Sequence, residues 1–338
     1  MKGAVIFHPG DVRVVDVDVP KPSPGEVLIK VAACGVCGTE HTLYTGGYYA
    51  NYPVVLGHEF AGEIVEVGEG VMKFKPGDRV AVDPNQVCHK CDFCRMGSEH
   101  LCDSLRTLGI THHGGDAEFT VAVEENVYLL PDSMTLEEGA FVEPLACALR
   151  AFEVATVQLG DTVLVMGAGP MGNLITQCVA LAGAAHIIVS EPVKRRRDLA
   201  LENGATLVID PTAQDVDAEV RKVQRIGADV VIEVVGGLKA QASSIGYARR
   251  GGQVVFYGVS PKGGKIEISP FDINENEIKV TGSFNNPYTT AQAIRLIASR
   301  KVRVENLISH RIPLERYNDV WKLWGGPDTM KLMVVMGN

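Results

Sequence analysis

Over the first 150 residues the apolar positions come in short runs broken by proline and glycine. The stretch "VRVVDVDV" (12–19) alternates apolar and polar residues, and "GEVLIKVAA" (25–33) has the same strand texture. "GEIVEVGEGV" (62–71) and "DRVAVDP" (78–84) follow, the second behind the turn "KPGD". Period-two runs with turn residues at the breaks predict an irregular antiparallel all-β lobe. Near residue 150 the pattern changes. "GDTVLVMGAGPMGNLITQCVALAGAAHIIVSE" (160–191) reads strand, glycine turn, helix, strand. "GADVVIEVVGG" (227–237) and "GGQVVFYGVS" (251–260) are near-continuous apolar strands on either side of the helical "KAQASSIGYARR" (239–250). Buried strands alternating with helices predict a doubly wound parallel sheet. Beyond about residue 282 comes one helical stretch, "TTAQAIRLIASRKV" (289–302), then mixed elements ending in "KLMVVMGN". The expected fold class is α/β, with an all-β domain formed by 1–146 and 282–338 and a parallel-sheet domain formed by 147–281.

The turn "GAGPMG" carries the first candidate chemistry. Gly167, Gly169 and Gly172 fit G-x-G-x-x-G between a strand and a helix, and Glu191 ends the next strand about twenty residues on. In that context the pattern is a dinucleotide fingerprint. Gly167 permits the tight turn, Gly169 the approach of a pyrophosphate, and Gly172 the helix–strand contact. The helix N-terminus turns N–H groups toward phosphate. Glu191 accepts ribose hydroxyls and repels a 2′-phosphate, which favours NAD over NADP. The basic run Lys194–Arg197, with Arg196 in it, argues the other way; it also reads as a solvated helix face.

Length and charge narrow the class. A chain of 338 residues suits two domains. The net charge of −9 gives nucleic acid no electrostatic encouragement. Apolar runs are too short for a membrane span, and the first twenty residues lack the core and cleavage site of a signal peptide. A soluble cytoplasmic protein with neither a nucleic-acid nor a membrane partner is expected.

Eight cysteines complete the picture, four of them within "CHKCDFCRMGSEHLC". Cytosolic thiols stay reduced, so the cluster points to metal rather than disulfides. Cys88, Cys91, Cys94 and Cys102 present four thiolates to one tetrahedral ion with no open position, as in a structural zinc site. An iron–sulfur cluster is the alternative. A second constellation spans 34–71: a thiol, a threonine two residues later, and a His–Glu pair twenty residues on, with a further carboxylate in "EPLAC" (143–147). Such donors suit a catalytic zinc with an open position. The residues alone leave room for a core His58, a redox Cys34/Cys37 pair, a Glu59 at the surface, and a Glu143 that serves as a helix N-terminal charge. His112 and His113 in "THHGG" read as an exposed turn.

"GHEFAGEIVEVGEGV" (57–71), "CGVCGTE", the four-cysteine lobe, "PGDRV" and "GAGPMG" occur in this order in the zinc-containing medium-chain alcohol dehydrogenases, which the whole chain resembles. "EPLACALRA" and "GSFNNPYTTAQAIRLI" are similar to the polyol (sorbitol, xylitol, arabinitol) branch. The resemblance implies a GroES-like catalytic domain around a Rossmann cofactor domain. It implies a catalytic zinc on Cys37, His58 and Glu143 with Glu59 as an exchangeable ligand, and a structural zinc on the other four cysteines. Thr39 then begins a proton relay. The family places the next relay histidine five residues after the zinc cysteine, where this chain has Thr42, with His41 one position earlier. Pro170, Met171, Val235, Val259, Ser283, Phe284 and Asn285 are candidates to line the cofactor. Tyr44, Phe119, Phe284, Asn285 and Asn286, flanking the zinc positions, are candidates to meet substrate, since polar Asn and Tyr groups suit a hydroxyl-bearing one; Tyr44 also reads as a core aromatic. The activity that the resemblance implies is hydride transfer between NAD and a polyol hydroxyl. Threonine-like amino alcohols, sugar acids and simple secondary alcohols are rival substrates, and a non-catalytic dinucleotide-binding protein is the rival of another class. A homodimer or homotetramer is expected, with "GKIEISP" (264–270) as an edge strand that pairs across an interface.

Overall fold

The computed structural model describes residues 1–337. The chain divides into two compact units, one formed by Met1–Ala146 with the segment from Asn286 onward, the other by Cys147–Asn285. Among the described residues no helix is long and apolar enough to cross a membrane.

The first unit is built on β-sheet. Its central strand, Glu26–Gly35, runs antiparallel to Glu59–Val67, Phe119–Val123 and Lys331–Val335. Arg79–Val82 and Val127–Leu129 extend the sheet on one side, and Ile308–Pro313 on the other. Val27, Ile29, Val31, Ile64, Val80 and Val82 form one core beneath it. These are the residues whose alternation predicted the strands. The opening strand Lys2–His8 adds to the expected set and pairs with Asp11–Asp16, shorter than the 12–19 run. A second core joins Leu43 and Leu56 to Leu314, Tyr317, Val320, Leu332 and Val334, so the C-terminal segment completes the unit that the N-terminal one begins. Gly62 has a packing reason: a Cβ there would press into the Lys30 carbonyl, beside a register slip between Val31 and Ala33.

The second unit holds six parallel strands in the order Leu207–Ile209, His186–Ser190, Thr162–Met166, Ala228–Glu233, Ala248–Phe256, Lys279–Gly282. This is the order 3-2-1-4-5-6 of the dinucleotide-binding Rossmann sheet, whose crevice lies at the carboxyl ends of strands 1 and 4. The predicted strands and the helices Pro170–Leu181 and Leu238–Tyr247 are all present. One expectation fails. The segment 264–270 is not a strand: it runs between the turn at Lys262–Gly263 and the helix Pro270–Glu275 with no ladder partner among the described residues. The edge strand of the sheet is Lys279–Gly282 instead.

Candidate active site and metal centres

Cys37 caps the helix Gly38–Tyr44. Its N–H donates to Glu40 Oε2 at 2.8 Å, the reach-back of a helix capping box. The other carboxylate oxygen of Glu40 lies 2.8 Å from His58 Nδ1. His58 and Glu59 open the strand Glu59–Val67, held by Gly57 at φ +90°. A Cβ at Gly57 would stand 2.6 Å from the Asp116 nitrogen and 2.7 Å from Cys34 Sγ. Only glycine admits that approach together with that backbone angle. Ligand atoms of Cys37, His58 and Glu59 lie within 4.8 Å of one another, and the Thr39 hydroxyl is 3.7 Å from Cys37 Sγ.

The cluster is buried: Glu40, His58 and Glu59 are 0%, 5% and 1% exposed. Opposite Glu59 stands Lys331, itself buried and in ion-pair contact with the carboxylate. Gly35, the register partner of Glu59, makes the room, since a Cβ there would press into that carboxylate and stand 2.7 Å from Lys331 Cε. Burial disfavours charge on His58, but Glu40 and Cys37 outweigh it and hold its pKa well above the usual value. Burial likewise works against ionised Glu40, and His58 outweighs it, so that carboxyl titrates low. Lys331 follows the same logic: burial lowers its pKa, while Glu59 and Cys37 raise it further. Behind them Asp116, fully buried, is pushed up to about 7 by burial and by the charge of Glu40, against the opposing pull of Tyr317 and Cys34.

A divalent cation fits this site. Two carboxylates and a thiol face one lysine, and Glu40 Oε1, His58 Nδ1 and Glu59 Oε2 have no well-directed hydrogen-bond partner. A thiolate, an imidazole and a carboxylate make a zinc donor set, and a carboxylate on the second ring nitrogen is the usual support of a ligating histidine. Glu143 is not in the cluster. It is a first-turn acid of the helix Val142–Ala155, where the helix dipole favours it; the geometry gathers Glu59, not Glu143, beside Cys37 and His58. Cys34 is a buried thiol outside any disulfide.

The four clustered cysteines also fit zinc. Cys91 and Cys94 sulfurs are 3.5 Å apart, those of Cys88 and Cys94 4.0 Å. A tetrahedron with Zn–S bonds of about 2.3 Å has edges of about 3.8 Å. Backbone N–H groups of Cys88 and Ser104 point at Cys102 Sγ, and that of Cys91 at Cys88 Sγ. The N–H groups of Lys90 and Cys91 hold the Cys88 thiol down to about 6, which favours the thiolate that metal binding needs.

In the second unit Gly167 adopts φ +101°, and a Cβ on Gly172 would run into the Gly167 carbonyl. A Cβ on Gly169 would meet nothing within 4 Å, which leaves an open cradle over the N-terminus of Pro170–Leu181. Pro170 takes the first helical position, where no N–H is needed, and Met171 follows it. Glu191 accepts from Ala168 N–H at 2.8 Å and Val193 N–H at 2.9 Å. Arg197 is engaged with the carbonyls of Glu191 and Pro192 and with Asp210, 3.0 Å away. Arg196 lies on the same helix, Lys194–Glu202. Val235 and Val259 expose apolar surface on loops after strands 4 and 5, and Phe284 exposes more. Ser283 Oγ and Asn285 Nδ2 are buried without a partner.

Several other expected site residues have partners of their own. Asn286, 1% exposed, accepts from Asn85 Nδ2 at 2.8 Å and donates to Asp83 at 3.1 Å, which makes it an internal tether. Tyr44 stacks on Trp321 with centroids 4.2 Å apart at the edge of the core. Phe119 faces Lys30 in the sheet, five residues and so about 17 Å along the strand from Gly35. His41 lies flat on Trp324, centroids 5.1 Å apart, and Thr42 donates to the Gly38 carbonyl at 2.9 Å. Both are engaged there rather than with Thr39. Of the "THHGG" turn, His113 is exposed, His112 half-buried, and Gly114 and Gly115 are packed against Leu56, Gly57 and Phe60. Sequence reasoning missed Glu40, Lys331 and Asp116. The spacing Cys37-x-x-Glu40 was the available signal for the first; no local signal marks the other two.

Known proteins agree with this geometry. A model of the alcohol dehydrogenase GroES-like domain matches residues 23–132, and one of zinc-binding dehydrogenases matches residues 170–299. The chain is 33% identical to D-arabinitol dehydrogenase 1 of Uromyces fabae, over 96% of this chain and 94% of the other. It is 36% identical to L-threonine 3-dehydrogenase of Pyrococcus abyssi, over 96% and 95%. A structure from Sinorhizobium meliloti, described as a zinc-binding dehydrogenase bound to NADP, superposes with a TM-score of 0.96 at 38% identity, covering 99% of this chain and 98% of that one. The chain belongs to the zinc-containing medium-chain alcohol dehydrogenase family. It is accordingly a zinc-dependent dehydrogenase that uses a nicotinamide cofactor.

Proposed function

We propose that the protein oxidises a secondary hydroxyl of a polyol, and reduces the matching ketose in reverse, with NAD. The observation that carries this reading is the cluster of half-buried Cys37 with buried His58 and Glu59, and a hydroxyl, Thr39, beside its thiol. Cys37, His58 and Glu59 would hold the catalytic zinc, and Cys88, Cys91, Cys94 and Cys102 the structural one. A zinc ion supplies Lewis acidity that lowers the pKa of a hydroxyl bound to it. Thr39 Oγ1 would relay the proton that the substrate hydroxyl gives up, accepting it as its own hydroxyl proton passes outward to solvent. Glu40 fixes the tautomer and orientation of His58, and Lys331 offsets the charge of Glu59. The bound nicotinamide supplies the hydride acceptor.

NAD is favoured because the buried Glu191 side chain, held by two backbone N–H groups, stands where ribose hydroxyls are read and leaves no welcome for a 2′-phosphate. Arg197 is already engaged. The NADP-bound relative makes the ratio of kcat/KM for NAD and NADP the deciding number; a ratio in favour of NADP removes the NAD assignment. The D-arabinitol dehydrogenase relative supports a polyol, and the threonine dehydrogenase relative supplies the second reading. Formation of reduced cofactor across sorbitol, xylitol, both arabinitols, galactitol, threonine and 2-butanol, with and without a chelator, tests both. Chelator-sensitive turnover confined to polyols is expected. Turnover of threonine alone replaces the substrate class, and silence with both cofactors throughout favours a binding-only protein.

A further inference from the structure

We propose that Asn173 is a positioning residue for the cofactor's pyrophosphate, locked in place by Asn203. Asn173 is fully buried one turn into the helix Pro170–Leu181. Its amide donates to the Ala168 carbonyl at 2.7 Å and to that of Gly169 at 3.3 Å. Its own oxygen accepts from Asn203 Nδ2 at 2.9 Å, and Asn203 caps the C-terminus of Lys194–Glu202. Three fixed atoms therefore determine the direction of the amide, and it has no freedom to flip.

The consequence follows from peptide planarity. In a trans peptide the C=O of one residue and the N–H of the next point in opposite directions. Drawing the Ala168 carbonyl down onto Asn173 turns the Gly169 N–H up into the open cradle. The Gly169 carbonyl is also drawn inward, by Asn173 N–H at 3.0 Å as well as by the side chain. The N–H it would otherwise direct belongs to Pro170 and does not exist. On the other side of Ala168, its N–H is held by Glu191. Both faces of the Ala168 unit are thus clamped, one by the ribose-reading acid and one by the buried amide pair. The loop's phosphate donors are preorganised before any ligand arrives, which is where binding energy is otherwise lost to ordering.

The inference rests on dinucleotide binding at this turn, and the experiment separates the two. NADH and adenosine, which carries no phosphate, are titrated calorimetrically into the zinc-loaded full-length enzyme and its variants. Asn173→Asp keeps the volume and the bond from Asn203 but sets a second acceptor against two carbonyls. It is expected to weaken NADH by about tenfold or more, the loss of a directed buried hydrogen bond and its oriented donor, and adenosine by less than about twofold. Asn203→Ala, which frees the amide without removing it, is expected to weaken NADH by a smaller factor. Unchanged NADH affinity in folded Asn173→Asp overturns the proposal, as does an equal proportional loss for NADH and adenosine. If Asn173→Asp does not fold, unchanged NADH affinity in Asn203→Ala overturns it. Failure of the parent enzyme to bind NADH overturns the cofactor reading and this inference together.

Discussion

Glu40 shows how one residue serves two levels of structure. One oxygen satisfies the helix-start N–H of Cys37, and the other faces the His58 imidazole. Replacing it with alanine should weaken zinc binding at the catalytic site by about 10–100-fold, the usual effect of losing the partner of a ligating histidine, while the four-cysteine site keeps its metal. Metal analysis after graded chelation checks this. Cys37→Ser goes further and should abolish turnover while leaving NADH binding intact; a fully active variant removes the ligand assignment. Asp116 gives a pH prediction for the metal-free chain. Its folded pKa, about 7, lies above the 3.8 of an unperturbed aspartate. Below 3.8 both states carry the proton. As pH rises from about 4 to 7 the unfolded chain releases it and the folded chain keeps it, so stability falls by about 1.4 kcal/mol per unit. Asp116→Asn removes that slope. Its Tm should therefore gain on the parent's from pH 5 to pH 8; parallel Tm curves would remove Asp116 as the cause.

At the scale of elements, the four-cysteine lobe has very little structure to hold it. Its regular parts are the short helices Asp92–Arg95 and Glu99–Leu101, too short to persist without tertiary support. Cys94 and Cys102 are its buried cysteines. Metal supplies the missing core, as in small metal-stapled modules. Stripping zinc should raise amide exchange across residues 88–102 by at least about tenfold and leave the parallel sheet protected. Uniform exposure of both units would show instead that the metal holds more than its own loop. The sequence made this lobe legible because its ligands lie within fifteen residues. It did not make the strand Lys331–Val335 legible as the partner of Glu26–Gly35, because that pairing joins opposite ends of the chain.

For the whole molecule, assembly is argued from one exposed segment of the parallel-sheet unit. Residues 265–269 offer backbone groups with no ladder partner among the described residues, and Ile268 and Phe271 expose apolar surface at and beside them. Backbone outside any ladder, beside exposed apolar residues, is a surface that another chain can cover. Light scattering is expected to give a dimer or tetramer, and Ile268→Lys to lower that state. A monomeric parent protein rules this assembly out.

The sequence by itself determined what depends on near neighbours. Glycines at G-x-G-x-x-G spacing, thiols three residues apart, and apolar periods of two or of continuous runs each act within a few residues, so the glycine turn, the four-cysteine cluster and the sheet classes were legible in the sequence. Only the tertiary structure decided which charges share a buried space. It set Lys331 against Glu59 and Asp116 behind Glu40, and left Glu143 outside the cluster of three. It turned Asn286 into a tether of Asp83 and Asn85, and laid His41 on Trp324. The reason is that pairing across a sheet and burial of charge are set by register and packing between distant segments, and neither leaves a local pattern in the chain.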